Sequence, residues 1–193
     1  MPKVIDHDWR RAELVDATWR VIAEEGVEAA TVRRIAEVAN CTTGRVTHYF
    51  ANKGEVLRAA LRQVHGATVE RMLAHLSGDD PVEVLRSVVL EALPLDDTRR
   101  TEWQVRLAFF GLLAADPALG AEQERRYDEW REFLDGRVRR AAPALGDDRR
   151  GASVDVLVAA VDGLGAQAAL DPRRFPRERL QGAVDRLIEA TLA

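Results

Sequence analysis

The fold of this 193-residue chain is decided by residues 31–50, whose sequence is TVRRIAEVANCTTGRVTHYF. Apolar residues recur at helical spacing in the first half of this stretch, and Asn40 and Cys41 interrupt that spacing. Thr42 then offers a side-chain cap to a second short helix, which ends by residue 50. Two short helices joined by a three-residue turn predict a helix-turn-helix, whose second helix enters the major groove of DNA by its N-terminal residues.

Helical periodicity dominates the rest of the chain as well, and strand signals are nearly absent. A first helix is predicted over about 8–25, with Gly26 ending it. Later helices are predicted at about 81–93, 99–115, 117–142, 150–170 and 176–192. We therefore predict an all-α fold, in which a three-helix helix-turn-helix domain over residues 1–52 precedes a larger helical domain over residues 53–193.

The charge of the chain is unevenly distributed. Basic residues number 28 and acidic residues 32, which gives a formal net charge of -4 and a pI near 5.7. This balance excludes a basic coat over the whole chain, the simplest electrostatic signature of a nucleic-acid-binding protein. Residues 31–58 nevertheless hold five basic groups against two acidic ones, while residues 61–193 carry the whole negative excess. The distribution predicts a small anion-binding segment attached to an acidic body.

The basic residues of that segment stand where helices begin. A helix N-terminus carries a partial positive charge, so acidic residues are expected in its first turn and basic residues are not. Asn52 and Glu55 resemble a capping box that opens a further helix. The basic residues at or near three consecutive helix starts are Arg33, Arg34, Arg45 and Lys53. Their placement indicates that an external anion, such as a row of phosphates, binds there; for Lys53 alone, a solvated surface charge is the alternative.

Helical spacing also gives residues 43–50 an inner and an outer side. Val46 and Phe50, four positions apart, are predicted to fix this helix to the core. The outward side chains are then those of Thr43, Arg45, Thr47 and His48. Arg45 can pair bidentately with guanine, and threonines can contact phosphate, sugar or a thymine methyl group. Gly44 allows the backbone to approach the DNA closely.

This part of the chain resembles the N-terminal domain of TetR-type transcriptional regulators. The resemblance covers roughly residues 8–58 and rests on GVEAATVRRIA at 26–36, TTG at 42–44, HYF at 48–50 and NKGE at 52–55. It implies contacts of Tyr49 and Lys53 with phosphates. The full set of positions where family members touch DNA is Arg33, Thr43, Gly44, Thr47, Tyr49 and Lys53. Many members have an aromatic residue at the position of Thr47, so we expect an altered contact there.

The predicted activity is sequence-specific DNA binding by a transcriptional regulator, most commonly a ligand-responsive homodimeric repressor on a palindromic operator. The candidate DNA-binding residues are the two helix caps, the outward side chains and the positions implied by the resemblance: Thr31, Arg33, Thr42, Thr43, Gly44, Arg45, Thr47, His48, Tyr49 and Lys53. A helical protein-interaction module that makes no contact with DNA is the alternative from another class.

The last two helices are predicted to form a homodimer. One short recognition helix covers too few base pairs for useful specificity, so such a protein works as a two-fold dimer. The apolar stripes of these helices are Val154, Leu157, Val158, Val161 and Leu164 on the first and Leu180, Val184, Leu187, Ile188 and Thr191 on the second. Gly165 and neighbouring alanines allow close helix approach. The resemblance implies a four-helix bundle between subunits, and the alternative is a core within one subunit.

The middle helices carry most of the remaining aromatic residues, and the resemblance implies a small-molecule pocket there. The candidate lining residues are Trp103, Phe110, Trp130 and Phe133, for which plain core packing is the alternative. Residues 156–192 loosely resemble the branch of the family that contains choline- and betaine-linked repressors. On that basis the indole faces, with the carboxylate of Asp162 nearby, are expected to take an organic cation by cation–π attraction.

Other classes of protein find little support in the sequence. The four histidines lack metal-ligand spacing, Cys41 is the single cysteine, and neither a phosphate-binding loop nor a nucleophile motif is present, so we expect no enzyme, metal or cofactor. The paired acids at 79–80, 96–97 and 147–148 are interpreted as solvated loop residues. The polar start of the chain and the lack of an apolar run of roughly 18 residues predict a cytoplasmic protein without a membrane span.

Overall fold

A computed structural model describes residues 7–113 and 117–193, and the secondary structure of these residues is helical. The helices are α1 (His7–Glu25), α2 (Val32–Val38), α3 (Thr43–Tyr49), α4 (Lys53–Leu73), α5 (Pro81–Glu91), α6 (Asp97–Leu113), α7 (Pro117–Ala141), α8 (Asp147–Leu170) and α9 (Arg177–Leu192). A short 3-10 helix, Val27–Ala29, lies between α1 and α2. The all-α prediction is confirmed; residues 114 and 115, assigned above to the end of a helix, lie outside the described residues.

Local side-chain signals account for the helix boundaries around α2 and α3. Gly26 ends α1 with a φ of 87°, a left-handed conformation that glycine adopts without steric penalty. Asn40, in the turn between α2 and α3, has a φ of 50°, and asparagine tolerates that region better than most residues. At the start of α4, the Glu55 amide donates to Asn52 Oδ1 at 3.1 Å and the Ala51 amide donates to Glu55 Oε2 at 2.9 Å. A capping box is therefore present, except that the Glu55 side chain accepts from the amide of Ala51 and not from that of Asn52.

The paired acids correct the sequence-based interpretation, because most of them belong to helix starts. Asp97 opens α6, and Asp147 with Asp148 forms the first turn of α8, three residues earlier than predicted. Asp80 caps α5 by accepting from the Val82 amide at 2.9 Å. The loop assignment is wrong for Asp97, Asp147 and Asp148, although their exposure is as predicted. A carboxylate is favourable there because backbone N–H groups lack partners and the helix dipole is positive.

The chain divides into two compact units. The first unit comprises residues 7–66 and 105–112, so that it includes most of α4 and a segment of α6. Its core is built around α1, α2 and α3. The largest fully buried side chains there are Leu14, Ile35, Phe50, Leu61 and Phe109. The prediction that residues 1–52 form a DNA-binding domain concerns function, which the division into compact units does not test, and it stays a prediction.

The second unit comprises residues 67–104, 113 and 117–193. Its core packs α5, α7, α8 and α9 against one another. Most residues of the two apolar stripes predicted for the dimer are buried within the subunit: Val154, Leu157, Val158, Val161, Leu180, Val184, Ile188 and Thr191. Their assignment to an intersubunit surface is wrong, because a residue that its own subunit already encloses has no apolar area left to offer a partner.

A different face of α8 stays open within the second unit. Val156 is 63% exposed and Leu170 is 75% exposed, and both rank among the large apolar side chains that the described residues leave in solvent. By length and composition α8 would suffice to cross a membrane, with a mean hydropathy of 1.4 and 39% of that window buried. Core helices of soluble proteins also reach this length and hydropathy, so we describe α8 only as an apolar helix with one exposed side.

Candidate DNA-binding surface

The helix α3 presents one anchored side and one open side. Val46 is 0% exposed and Phe50, which follows the helix, is 1% exposed, so both insert into the core of the first unit as predicted. The side chains on the open side are exposed: Thr43, Arg45, Thr47 and His48. A seven-residue helix is too short to be stable by itself, and the two buried anchors therefore fix the direction of the exposed side chains.

Hydrogen bonds to the backbone occupy several of the candidate threonines. The Thr31 hydroxyl accepts from the Arg34 amide at 3.2 Å, and the Thr42 hydroxyl accepts from the Arg45 amide at 3.3 Å. These bonds cap α2 and α3. The Thr47 hydroxyl donates to the Gly44 carbonyl at 3.2 Å.

The two arginines at the start of α2 already have carboxylate partners. Arg33 Nε donates to Glu37 Oε1 at 3.0 Å, and Arg34 Nη2 donates to Glu25 Oε1 at 2.7 Å. Hydrogen bonding to Glu25, and then to Glu37, raises the pKa of Arg34. Hydrogen bonds from Arg33 and Arg34 lower the pKa of Glu37. The unfavourable position of these cations at a helix start is thus offset inside the chain.

Lys53, at the start of α4, also contacts an acidic residue. Its Nζ donates to the Glu28 carbonyl oxygen at 3.4 Å and lies 3.9 Å from Glu28 Oε2. Arg45 differs, because no carboxylate of the described residues lies within ion-pair distance of its guanidinium. Of these four cations, Arg45 is thus the one whose position at a helix start is not offset by a carboxylate of the described residues, and an external anion there stays a prediction.

The end of α3 carries an aromatic pair and a cation that the sequence analysis missed. The rings of His48 and Tyr49 lie edge to face, with 5.1 Å between their centroids. Arg11, an exposed residue of α1, places its Cζ atom 5.0 Å from the centroid of the Phe50 ring. The adjacent arginines of α1, Arg10 and Arg11, were the only sequence signal for this contact, and nothing in the local sequence indicates which of the two reaches α3.

The candidate ligand residues of the second unit form two small groups. Trp130 and Phe133 are stacked, with 5.7 Å between ring centroids and an interplanar angle of 18°. The Tyr127 hydroxyl donates to Asp162 Oδ2 at 2.5 Å. The other face of the stack is partly occupied, because Arg137 Cζ lies 4.1 Å from the centroid of Phe133. Burial lowers the pKa of Arg137, with the like charge of Arg140 acting in the same direction.

Trp103 occupies a different position from the other candidates. It is 2% exposed, and its indole N–H donates to the Ala92 carbonyl at 2.7 Å. Its ring packs directly on Gly165, so that glycine accommodates a side chain of its own subunit and not the approach of a second subunit. Phe110 lies in the first unit. Within residues 7–113 and 117–193, no group of three His, Cys, Asp or Glu side chains could hold a metal ion.

Comparison with protein families and solved structures gives consistent matches. One family model, described as bacterial regulatory proteins of the tetR family, matches residues 14–60, and one described as BetI-type transcriptional repressor, C-terminal, matches residues 81–193. The HTH-type transcriptional regulator BetI of Burkholderia cenocepacia (strain HI2424) is 37% identical over 176 residues, which cover 88% of this chain and 87% of that protein.

Two solved structures share the architecture. A transcriptional regulator from Rhodococcus sp. Rha1 has a TM-score of 0.87 and 31% identity, covering 94% of this chain and 95% of that one. A regulator from Saccharomonospora viridis, solved in complex with choline, has a TM-score of 0.86 and 24% identity, covering 94% of this chain and 96% of that one. At this lower identity the second structure supports the fold alone.

Proposed function

The chain belongs to the TetR family of bacterial regulatory proteins, in its BetI-type branch, and from that premise we propose that it is a homodimeric repressor that leaves a palindromic operator when it binds a small molecule. DNA binding and transcriptional regulation follow from the family and from the named relatives, which are regulators and not enzymes. The alternative of a helical interaction module without DNA contact is therefore set aside.

The open side of α3 is the observation that supports major-groove reading by this chain. Arg45 is exposed, lies in the first turn and lacks a carboxylate partner among the described residues, so its guanidinium can pair bidentately with guanine. Thr43 and His48 are exposed beside it. Arg33 and Lys53 keep further N–H donors beside their exposed contacts with Glu37 and Glu28, and these donors can reach phosphates.

Fluorescence anisotropy with the full chain tests this proposal. A labelled duplex from the upstream region of its own gene is titrated at several salt concentrations, beside a duplex of scrambled sequence. Arg45→Ala is expected to reduce the preference for the operator, because a lost base contact is worth about 1–3 kcal/mol of discrimination. Arg173→Gln, which removes an exposed cation of the second unit, is the matched control. Failure of the wild-type chain to bind any duplex at low salt would refute the proposal.

The uncovered face of α8 supports a homodimer through α8 and α9. Val156 and Leu170 lie on that face, and its other residues are small or polar, such as Ala152, Ala159 and Gln167. A second copy of the same helix would remove this apolar area from water. Val156→Arg is expected to shift sedimentation toward the monomer and to weaken operator binding, whereas Val82→Arg on α5 serves as a control at another exposed valine. A dimer that survives Val156→Arg unchanged would place the interface elsewhere.

The proposed effector is an organic cation bound in the second unit. BetI-type relatives and the choline complex of the Saccharomonospora viridis protein motivate this class. In this chain, Asp162 supplies a carboxylate beside Tyr127, and Trp130 supplies an aromatic ring stacked on Phe133, whereas the buried Trp103 is set aside. Arg137 is a competing cation on Phe133, so the proposal depends mainly on Trp130 and Asp162.

Thermal-shift measurements with matched ligands test the effector class. Choline is compared with 3,3-dimethyl-1-butanol, which has the same shape without the charge, and with a fatty acid. Stabilisation by choline that disappears in Asp162→Asn supports the proposal, whereas stabilisation only by neutral or anionic compounds refutes it. An effector can release DNA only if it binds the DNA-incompatible arrangement more tightly, and we propose that it acts by moving α4 and thereby the spacing of the two recognition helices.

A further inference from the structure

We infer that Arg11, on α1, binds a DNA phosphate beside the recognition helix and is a principal source of the salt dependence of operator binding. The inference rests on the proposed function and adds a residue to its DNA-binding surface. It comes from two independent observations, the position of the guanidinium and the distribution of ion pairs over the first unit.

The position of Arg11 is fixed by the recognition helix. Its guanidinium carbon lies 5.0 Å from the ring centroid of Phe50, the residue that caps the C-terminal end of α3. Phe50 is buried and cannot move freely, so the cation above it is held at the same end of α3 as Tyr49. A guanidinium stacked on a ring keeps the N–H groups at its edge available, and these groups match the geometry of a phosphate.

The ion pairs of the first unit leave Arg11 in a different electrostatic state from its neighbours. Several nearby cations have a carboxylate partner: Arg10 with Glu13, Arg33 with Glu37, Arg34 with Glu25, and Lys53 with Glu28. Among the side chains that the structure describes, which begin at Trp9, no carboxylate lies within ion-pair distance of Arg11, which is exposed.

This difference determines how much each cation contributes to the salt dependence. An arginine without a partner binds a phosphate directly, and the counterion condensed on that phosphate is released. The charge of a paired cation is already partly neutralised by its carboxylate, so its net effect on the counterions of the DNA is smaller. Arg11 is therefore expected to contribute more to the salt slope than Arg33 or Lys53.

The competing explanation is that Arg11 only covers Phe50. In that case its replacement would lower the thermal stability of the first unit, while the salt slope of DNA binding would stay the same. The salt slope is the readout that a packing role does not change, because it counts charges neutralised on the DNA.

The experiment compares Arg11→Gln with a control on the same helix. Operator affinity is measured from about 50 to 300 mM salt for the wild-type chain, Arg11→Gln, Arg11→Lys and Arg20→Gln. Arg20 is exposed, lacks an ion pair among the described residues, and lies nine residues further on, about half a turn around the helix axis from Arg11. It therefore matches Arg11 in charge and differs in place.

The expected result is a salt slope shallower by about one per subunit in Arg11→Gln, or about two for a dimer on two half-sites. At 0.1 M salt each lost phosphate contact then weakens binding about eightfold, since the slope is about 0.9 per contact. Arg11→Lys keeps the wild-type slope because it keeps the charge, and Arg20→Gln leaves the slope unchanged.

An unchanged slope in Arg11→Gln, with the wild-type chain binding its operator normally, overturns the inference and leaves the proposed function intact. An equal loss of slope in Arg20→Gln also overturns it, because the effect would then be one of net charge. A wild-type chain that binds no duplex refutes the proposed function and this inference together.

Discussion

Replacing Gly165 by alanine tests the packing at the centre of the second unit. A Cβ atom built on Gly165 would lie 2.5 Å from Trp103 Cη2 and still closer to Cζ2 and Cε2 of the same ring. Real Cβ atoms essentially never come within 3.0 Å of a neighbour, so the indole must move. It cannot move without strain, because its N–H is bonded to the Ala92 carbonyl at 2.7 Å and the side chain is 2% exposed.

The magnitude follows from three opposing contributions to the free energy of unfolding. Overpacking a filled core lowers it by about 1–3 kcal/mol, and loss of the indole hydrogen bond lowers it by about 0.5–1.5 kcal/mol. Alanine in place of glycine inside a helix raises it by about 1 kcal/mol. The net loss is then about 0.5–3.5 kcal/mol, and the short contacts place Gly165→Ala in the upper half of that range.

Thermal and urea unfolding of Gly165→Ala measure this loss, with Gly151→Ala as the matched control. Gly151 lies on the same helix and has nothing within 4 Å of its Cβ position, so its replacement is expected to stabilise the chain by up to about 1 kcal/mol. For a chain of this size each kcal/mol shifts the midpoint by about 2–4 °C, which predicts a decrease of roughly 4–14 °C for Gly165→Ala.

A double-mutant cycle identifies the cause of the loss. Combining Gly165→Ala with Trp103→Leu removes the ring that the new methyl group would meet, so the pair is expected to be less destabilised than the sum of the single changes. Equal midpoints for Gly165→Ala and Gly151→Ala, or additive losses in the cycle, would refute the packing argument.

Three further predictions concern single polar groups. Thr42→Ala removes the cap of α3 and is expected to lower stability by about 1 kcal/mol in urea unfolding and to weaken operator binding, whereas Thr42→Ser restores both; no change in either would contradict the capping role. The Glu102 side chain is 8% exposed and accepts two hydrogen bonds from Arg71, at 2.7 and 2.9 Å. Arg71→Met removes both bonds and is expected to lower the free energy of unfolding by about 1–3 kcal/mol in the same assay. The loss should be smaller when Arg71→Met is made in a Glu102→Gln background. Hydrogen bonding by Arg150, whose Nη2 lies 2.7 Å from Asp147 Oδ1, lowers the pKa of Asp147 from 3.8. The resulting stabilisation is present above pH 3.8 and is lost as the pH falls through the lower pKa of the folded chain. Asp147→Asn is expected to flatten this acid-induced loss of stability, and an equally steep loss in the variant would contradict the assignment.

The parts of the fold that the sequence predicted are those with a local chemical signal. Gly26, Thr42 and the pair Asn52 and Glu55 each mark a helix end through a bond or a dihedral angle within a few residues. The start of α8 was misplaced because acids were taken as loop residues, although a carboxylate in the first turn is itself a helix signal. Capping residues and first-turn acids were therefore sufficient to predict these helix boundaries wherever they were recognised as such.

Tertiary contacts explain what the sequence could not predict about the candidate surface. Glu25 and Arg34 are nine residues apart, Glu28 and Lys53 are 25 apart, and no helical spacing relates either pair. Periodicity alone therefore identified the cations without revealing their partners. The same limit applies to the apolar stripes of α8 and α9, since an apolar face indicates burial without indicating whether the chain itself or a second copy covers it.

The carboxylates that hold the cations of α2 and α4 have a consequence for how the protein searches a genome. If the cations of α2 and α4 contact DNA as proposed, Glu25, Glu28 and Glu37 would compete with DNA phosphates for them. Such competition would weaken binding to sequences that offer phosphate contacts alone. At the operator, the base contact proposed for Arg45 would add to the phosphate contacts and so favour the operator over other sequences.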